Sequence, residues 1–282
     1  MAKQHGSHGH GETEQLFARF NIGQRLSEKW KLRLWKGFVG FWILYILAPM
    51  ILLILVSFDS APFLRVPREF SLVKYEAMLE SGSLLTAVRR TFELAVVTAI
   101  VTTLLAIGAI LTYRQTRFKR LMIVAIVLPL FIPGVVQGFS LMMILTDQLG
   151  FGVPFIRKLI GHVIWAFPFA FLVLLTSMSS VREDNILASS DLGANEYLTF
   201  KHIIYPQIKP GIISAFIFSF VLSFNEFART FYLQGNIQTV PTFVWAQIQV
   251  TESPELYALS GVTVLVSLAL IGIGSLYLYR ST

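Results

Sequence analysis

The sequence predicts an all-α, polytopic membrane protein with about six transmembrane helices. Three observations carry that prediction. Apolar residues make up 55% of the 282-residue chain and charged residues only 14%, whereas a soluble domain is about a quarter charged. The apolar residues gather into runs of the length a bilayer requires, about 20 residues. Lys and Arg concentrate in alternate loops, as they do when a chain crosses a membrane repeatedly.

The first run is Gly37 to Phe58, followed by Ala87 to Tyr113, Leu121 to Thr146 and Ile160 to Ser180. The last two lie near Gly211 to Phe227 and Tyr257 to Tyr279. The first run is too long and too far from Met1 for a signal peptide, and no small-residue cleavage pattern follows it. The expected organisation is a tail with an amphipathic interfacial helix over 1–36, then a transmembrane domain over 37–282.

Fifteen of the 23 Lys and Arg residues fall on one side of this layout. Seven precede the first helix, from Lys3 to Lys36. Arg114, Arg117, Lys119 and Arg120 follow the second helix. Arg182, Lys201 and Lys209 follow the fourth, and Arg280 lies in the tail. The richer side is expected to be cytoplasmic, with both termini inside a bacterial inner membrane. The net charge of +7 is then a topology signal, and no soluble basic face for nucleic acid is present. With no cysteine in the chain, disulfides, thiolate metal sites and a cysteine nucleophile are excluded.

The first dozen residues form a polar Gly/His tail with His5, His8 and His10, and this composition fixes no ligand geometry, so no metal site is assigned. From Ile22 to Trp35, Leu26, Trp30 and Leu34 recur every four residues among Lys and Arg. That pattern suits an amphipathic helix on the inner leaflet or one packed on the protein. No phosphate loop, zinc-protease pair or nucleophile elbow occurs. His162 sits in an apolar run beside Trp165 and Phe167, where a hydrogen-bonded structural role is the expectation.

The segment between the fourth and fifth runs, 181–210, is long and has helical character. Ile186, Leu187 and Ser190 share a helical face, and Gly193 is expected to break that helix. A second helix is expected from Asn195, with Leu198, Ile203 and Ile204 as its apolar positions and Pro206 as its stop. Pro210 is expected to limit it further.

This segment resembles the EAA loop of binding-protein-dependent ABC importer permeases. Ala188, Asp191, Leu192, Gly193, Ala194, Glu196, Phe200, Ile203 and Pro206 fall in register with the family's A-x-x-D-L-G-A-x-E-x-x-x-F-x-x-I-x-x-P pattern. The hydrophobic layout extends the resemblance over nearly the whole chain. Ser223 through Phe231 and the S-P-E-x-x-A-L run from Ser253 to Leu259 look most like the polyamine branch. Two departures stand out. Leu187 replaces the Glu that names the loop, and Ser189 occupies its second small position.

The resemblance implies a coupling helix that seats in a separate cytoplasmic ATPase. It also implies a second permease subunit, alike or different, two ATPase subunits and an extracytoplasmic substrate-binding protein. ATP and Mg would be used by the ATPase partners, and this chain would bind no cofactor. Lipid would surround it. An ion-coupled secondary transporter or channel is the alternative from a different class.

Polar residues inside the runs mark candidate substrate contacts, because charge in a span is costly and faces a cavity or a partner. Asn225, Glu226 and Arg229 lie near the end of the fifth run. Glu226 and Arg229 are spaced to pair on one helical face. Gln137 and Ser140 follow Pro133 and Gly134, which loosen the third helix. Glu226 and Gln137 are candidates for the substrate path, with a structural ion pair as the other reading. In the outer loops, Ser60 to Glu80 and Val240 to Glu252, with Trp245 and Ile248, are candidate docking segments.

Overall fold

The computed structural model describes residues 28–60, 69–250 and 253–265. The His-containing tail, residues 22–27 of the expected amphipathic helix and residues 266–279 of the sixth run lie outside the described residues. Regular structure among the described residues is helical, apart from an isolated bridge between Asp59 and Phe70.

The first helices are α1 (Glu28–Ser57), α2 (Val73–Glu80) and α3 (Gly82–Gln115). Helix α4 (Lys119–Val127) tightens into a 3-10 turn over Leu128–Phe131. Helix α5 (Gly134–Met142) widens into a π turn over Met143–Gln148. Helices α6 (Pro154–Met178) and α7 (Glu183–Asp191) follow. Helix α8 (Glu196–Thr199) runs through a π turn, Phe200–Ile204, into α9 (Tyr205–Phe224). Two short helices complete the series, α10 (Ala228–Leu233) and α11 (Val240–Val250). Residues 254–265 are also helical.

Among the described residues, four continuous helices are long and apolar enough to cross a membrane: Lys29–Ser57, Gly82–Gln115, Pro154–Met178 and Glu196–Phe224. The third run is not one straight span. Its halves, Lys119–Phe131 and Gly134–Gln148, meet at 94°. Pro133 stands at the corner, where its missing N–H and its ring prevent the helix from continuing.

Residues 76–256 form one compact unit. At its centre α3, α6 and α9 pack together. Each offers a stripe of small side chains. Ala95, Ala99 and Ala106 are buried on α3, and Gly161, Ala166 and Ala170 on α6. Gly211, Ala215, Ser219 and Ser223 recur every four residues on α9. In a bilayer, burial against lipid-like neighbours gains little, so close backbone approach over small residues is what holds helices together. Phe171, Leu174 and Ile208 fill the space between the stripes.

The described residues up to Tyr75 and from Tyr257 form a second unit. There the Lys74 ammonium donates to the Val56 carbonyl at 2.9 Å and lies 4.5 Å from the centre of the Tyr257 ring. Ser57 and Tyr75 share a hydroxyl hydrogen bond of 2.8 Å.

Three sequence expectations change. Residues 28–35 are not a separate interfacial helix but the start of α1. A helix of this length exceeds the roughly 30 Å hydrocarbon core, so its basic first turns lie beyond the apolar layer. Pro206 does not stop the loop's second helix, which continues unbroken from Glu196 to Phe224. A π turn is wider than an α turn, and the one at Phe200–Ile204 gives the Pro206 ring room. Pro210 likewise lies inside α9. Finally, α9 ends at Phe224, so Glu226 occupies a break between helices rather than a helical face.

Candidate functional site

Two places collect the residues singled out in the sequence. The first is a helical knob formed by α7, the turn at Gly193 and α8. Leu192 caps α7, and Gly193 takes φ +81°. The Gly193 N–H donates to the Ser190 carbonyl at 2.9 Å and the Ala194 N–H to the Ser189 carbonyl at 3.0 Å. This is the paired pattern of a Schellman turn, which closes a helix through a left-handed residue. Asn195 then caps α8, its side-chain oxygen accepting from the Leu198 N–H at 2.9 Å.

The two arms are tied by a buried hydrogen bond of 2.9 Å between the Ser189 and Thr199 hydroxyls. Ser189 therefore does structural work that its small size alone would not suggest. Ala188, Asp191 and Glu196 are exposed on the knob, Phe200 and Ile203 are half-buried at its base, and Pro206 is exposed beyond them. Leu192 projects at the tip with 89% of its surface exposed, and Leu187 and Tyr197 flank it in the open. Between the knob and the end of α3 lies a cleft of about 610 Å³, lined in part by Arg114, Gln115, Glu183 and Glu196.

The second place is a buried polar cluster around Arg229. Its Nε donates to Gln137 Oε1 at 2.5 Å and its Nη1 to Glu226 Oε1 at 3.1 Å. The guanidinium carbon lies 4.3 Å from the centre of the Trp165 ring. Arg229 and Glu226 are 3% and 8% exposed, so the pair is held away from water. An ion pair at that depth persists only when its remaining bonding capacity is met. Glu226 Oε1 also accepts from the Arg229 backbone N–H at 2.9 Å, and Gln137 Nε2 donates to the Pro129 carbonyl at 2.9 Å. That carbonyl belongs to the corner between α4 and α5, so Gln137 joins the bent span to α10.

His162 extends the network. Thr230 donates to the Glu226 carbonyl at 2.7 Å. It therefore accepts from His162 Nε2, also at 2.7 Å, and Nδ1 accepts from Ser223 at 2.7 Å. The expected structural histidine is hydrogen-bonded on both sides. Asn225 is not part of the cluster. It is exposed, and its amide donates to the Val221 carbonyl of its own helix at 2.9 Å. Trp165 was not legible as a site residue, because an aromatic in an apolar run carries no signal until its neighbours in space are known.

Comparison with known proteins places these features in context. Residues 103–280, more than half of the chain, match the family described as binding-protein-dependent transport system inner membrane component. The spermidine/putrescine transport system permease protein PotC of Escherichia coli strain K12 is 26% identical over 238 residues, covering 83% of this chain and 90% of that protein. The putrescine transport system permease protein PotI of the same strain is 28% identical over 234 residues, covering 79% and 82%. Among solved structures, a bacterial ABC transporter involved in import of the acidic polysaccharide alginate superposes with a TM-score of 0.62 at 18% identity. That match covers 91% of this chain and 99% of the other, and it speaks to the fold alone. The chain belongs to the binding-protein-dependent inner membrane components, the permease subunits of ABC importers.

Proposed function

We propose that this permease carries a small organic cation of the polyamine class across the bacterial inner membrane, and that the 181–210 knob couples it to a cytoplasmic ATPase. The observation that carries the coupling assignment is the exposed Leu192 at the tip of a rigidly closed turn. Leaving a leucine in water forgoes about 1.5–3 kcal/mol of burial. A stiff knob with such a tip is built to enter a cleft in another protein, and its position in the chain matches the coupling loop of the family. In this assembly a second permease completes the path, two ATPases supply ATP hydrolysis with Mg, and an extracytoplasmic binding protein delivers the solute. The knob and both termini face the cytoplasm, in line with the Lys and Arg asymmetry.

The polyamine assignment draws on the relatives named for spermidine and putrescine and on the buried carboxylate of Glu226. Alternating access moves such a solute past groups held between helices. The test is ATP hydrolysis by the reconstituted complex, with its binding protein loaded in turn with putrescine, spermidine, amino acids and phosphonates. Stimulation by the polyamines is expected. Stimulation confined to another class would remove the substrate assignment, and the absence of any associated ATPase would remove the coupling assignment.

A further inference from the structure

We propose that Trp165, Gln137 and Glu226 form an ammonium-binding cage that the side chain of Arg229 fills in this state, and that an amine substrate enters by displacing it. The inference rests on the importer reading above and deepens it. The three groups are those that recognise an organic cation: an aromatic face, an amide oxygen and a carboxylate. In the structure all three converge on one guanidinium, at 4.3, 2.5 and 3.1 Å. A primary ammonium has three N–H donors and would use the same acceptors.

What separates this arrangement from an ordinary buried ion pair is how each wall is held. Glu226 accepts from the Arg229 backbone N–H, a bond that survives when the side chain leaves. Gln137 is fixed by its own donation to the Pro129 carbonyl. Trp165 is packed edge-on against Phe169 at 5.1 Å. The cage is therefore pre-oriented by contacts that do not involve the guanidinium. Its occupant is also bounded tightly, since a Cβ added at Gly134 would lie 3.1 Å from Arg229 Nη1.

The charge balance selects the ligand. An amine replacing the guanidinium exchanges one cation for another, and Glu226 stays compensated throughout. An anion would need to expel Glu226, whose carboxylate is anchored to the backbone. Arg229 thus acts as an internal competitor. It keeps the buried carboxylate neutralised when no substrate is present, and it lowers apparent affinity by the fraction of time it fills the cage.

The experiment measures equilibrium binding of radiolabelled putrescine to the full complex in nanodiscs without the binding protein. Wild type, R229Q, R229K and R229Q/E226Q are compared. R229Q is expected to bind putrescine roughly tenfold tighter than wild type, as removal of a competing internal state predicts. R229K, with a weaker hold on the planar acceptors, should show a smaller gain in the same direction, and R229Q/E226Q should fall to background. Binding no tighter in R229Q than in wild type overturns the cage. Should R229Q not assemble, unchanged binding in R229K overturns it equally. ATP hydrolysis by the wild-type complex, stimulated by loaded binding protein, is recorded in parallel. Stimulation without any affinity gain in the variants sinks the cage and spares the importer reading, whereas absence of the ATPase sinks the reading itself.

Discussion

Ser189 and Thr199 face each other across the Gly193 turn and share a buried hydroxyl hydrogen bond of 2.9 Å. Ser189 also donates to the Ile186 carbonyl at 2.8 Å, so its oxygen links the body of α7 to the arm that leads into α9. Force applied at the tip then reaches the spanning helix through a bonded bracket rather than through one hinge.

Ser189→Ala removes the bracket and leaves the Thr199 hydroxyl buried without its partner, a loss of about 1–3 kcal/mol. Faster amide exchange is expected over residues 189–199, together with lower ATP-coupled transport at normal membrane insertion. Exchange equal to wild type would show that the bond is not what stiffens the knob.

Gly193 supplies the left-handed residue of the same turn. No neighbouring atom lies within 4 Å of an added Cβ there, so any penalty comes from the backbone alone. A side chain at φ +81° costs about 1 kcal/mol or more, least for Asn and most for a β-branched residue. Gly193→Val should therefore reduce ATPase co-purification and transport together, with Gly193→Asn close to wild type. Equal loss in both variants would point to a steric contact with the partner instead.

The contrast between knob and cluster shows what the chain order reveals. The knob is local. Its Gly turn, its Asn195 cap and its apolar tip all depend on residues within a few positions of one another, so periodicity and turn chemistry located it. The Pro206 stop failed because a π turn changes the register, and no short pattern announces one. The cluster is assembled from α5, α6, α10 and the break between α9 and α10 that carries Glu226. Glu226 and Arg229 are visible as charges in an apolar context, and the expected pair forms, but from the break after α9 onto α10 rather than along one helical face. Trp165 and the corner carbonyl of Pro129 were invisible, because only the 94° bend brings Gln137 to both Pro129 and Arg229.

Gly138 lies where α5 closely approaches the backbone of α10. A Cβ at this position would lie 2.9 Å from Arg229 Cα and 3.1 Å from the Ala228 carbonyl oxygen. Backbone atoms cannot rotate aside, so Gly138→Ala should force the helices apart at a cost of about 1–3 kcal/mol. A lower melting temperature of the purified complex is expected. Gly152→Ala, where nothing lies within 4 Å, serves as the control and should leave it unchanged.

Glu226→Gln keeps the shape of the side chain and strips its charge. Arg229 is then buried beside neutral acceptors only, and breaking a buried pair on one side costs about 3–5 kcal/mol. The single variant should lose stability by an amount that R229Q/E226Q largely recovers, because the double variant leaves no charge behind. A double-mutant cycle on thermal unfolding reads the coupling directly. Additive losses would mean that the two residues do not act as a pair.

The orientation can be read in intact cells, because a chain without cysteine gives a clean background for single introduced thiols. Gln115 ends α3 and lines the same cleft as Ala194 and Glu196 of the knob. Positions 115 and 195 must therefore share one face of the membrane whatever that face is. Gln148 is exposed at the far end of the bent span's second half. From the Lys and Arg excess around Arg114 to Arg120, the knob face is expected to be cytoplasmic. A thiol introduced at Gln148 should accordingly react with an impermeant reagent added outside, while thiols at Gln115 and Asn195 should react only after permeabilisation. Labelling of Gln115 and Asn195 from outside, with Gln148 protected, would invert the orientation and place the knob out of reach of any ATPase. A split result at Gln115 and Asn195 would contradict the cleft that brings them together.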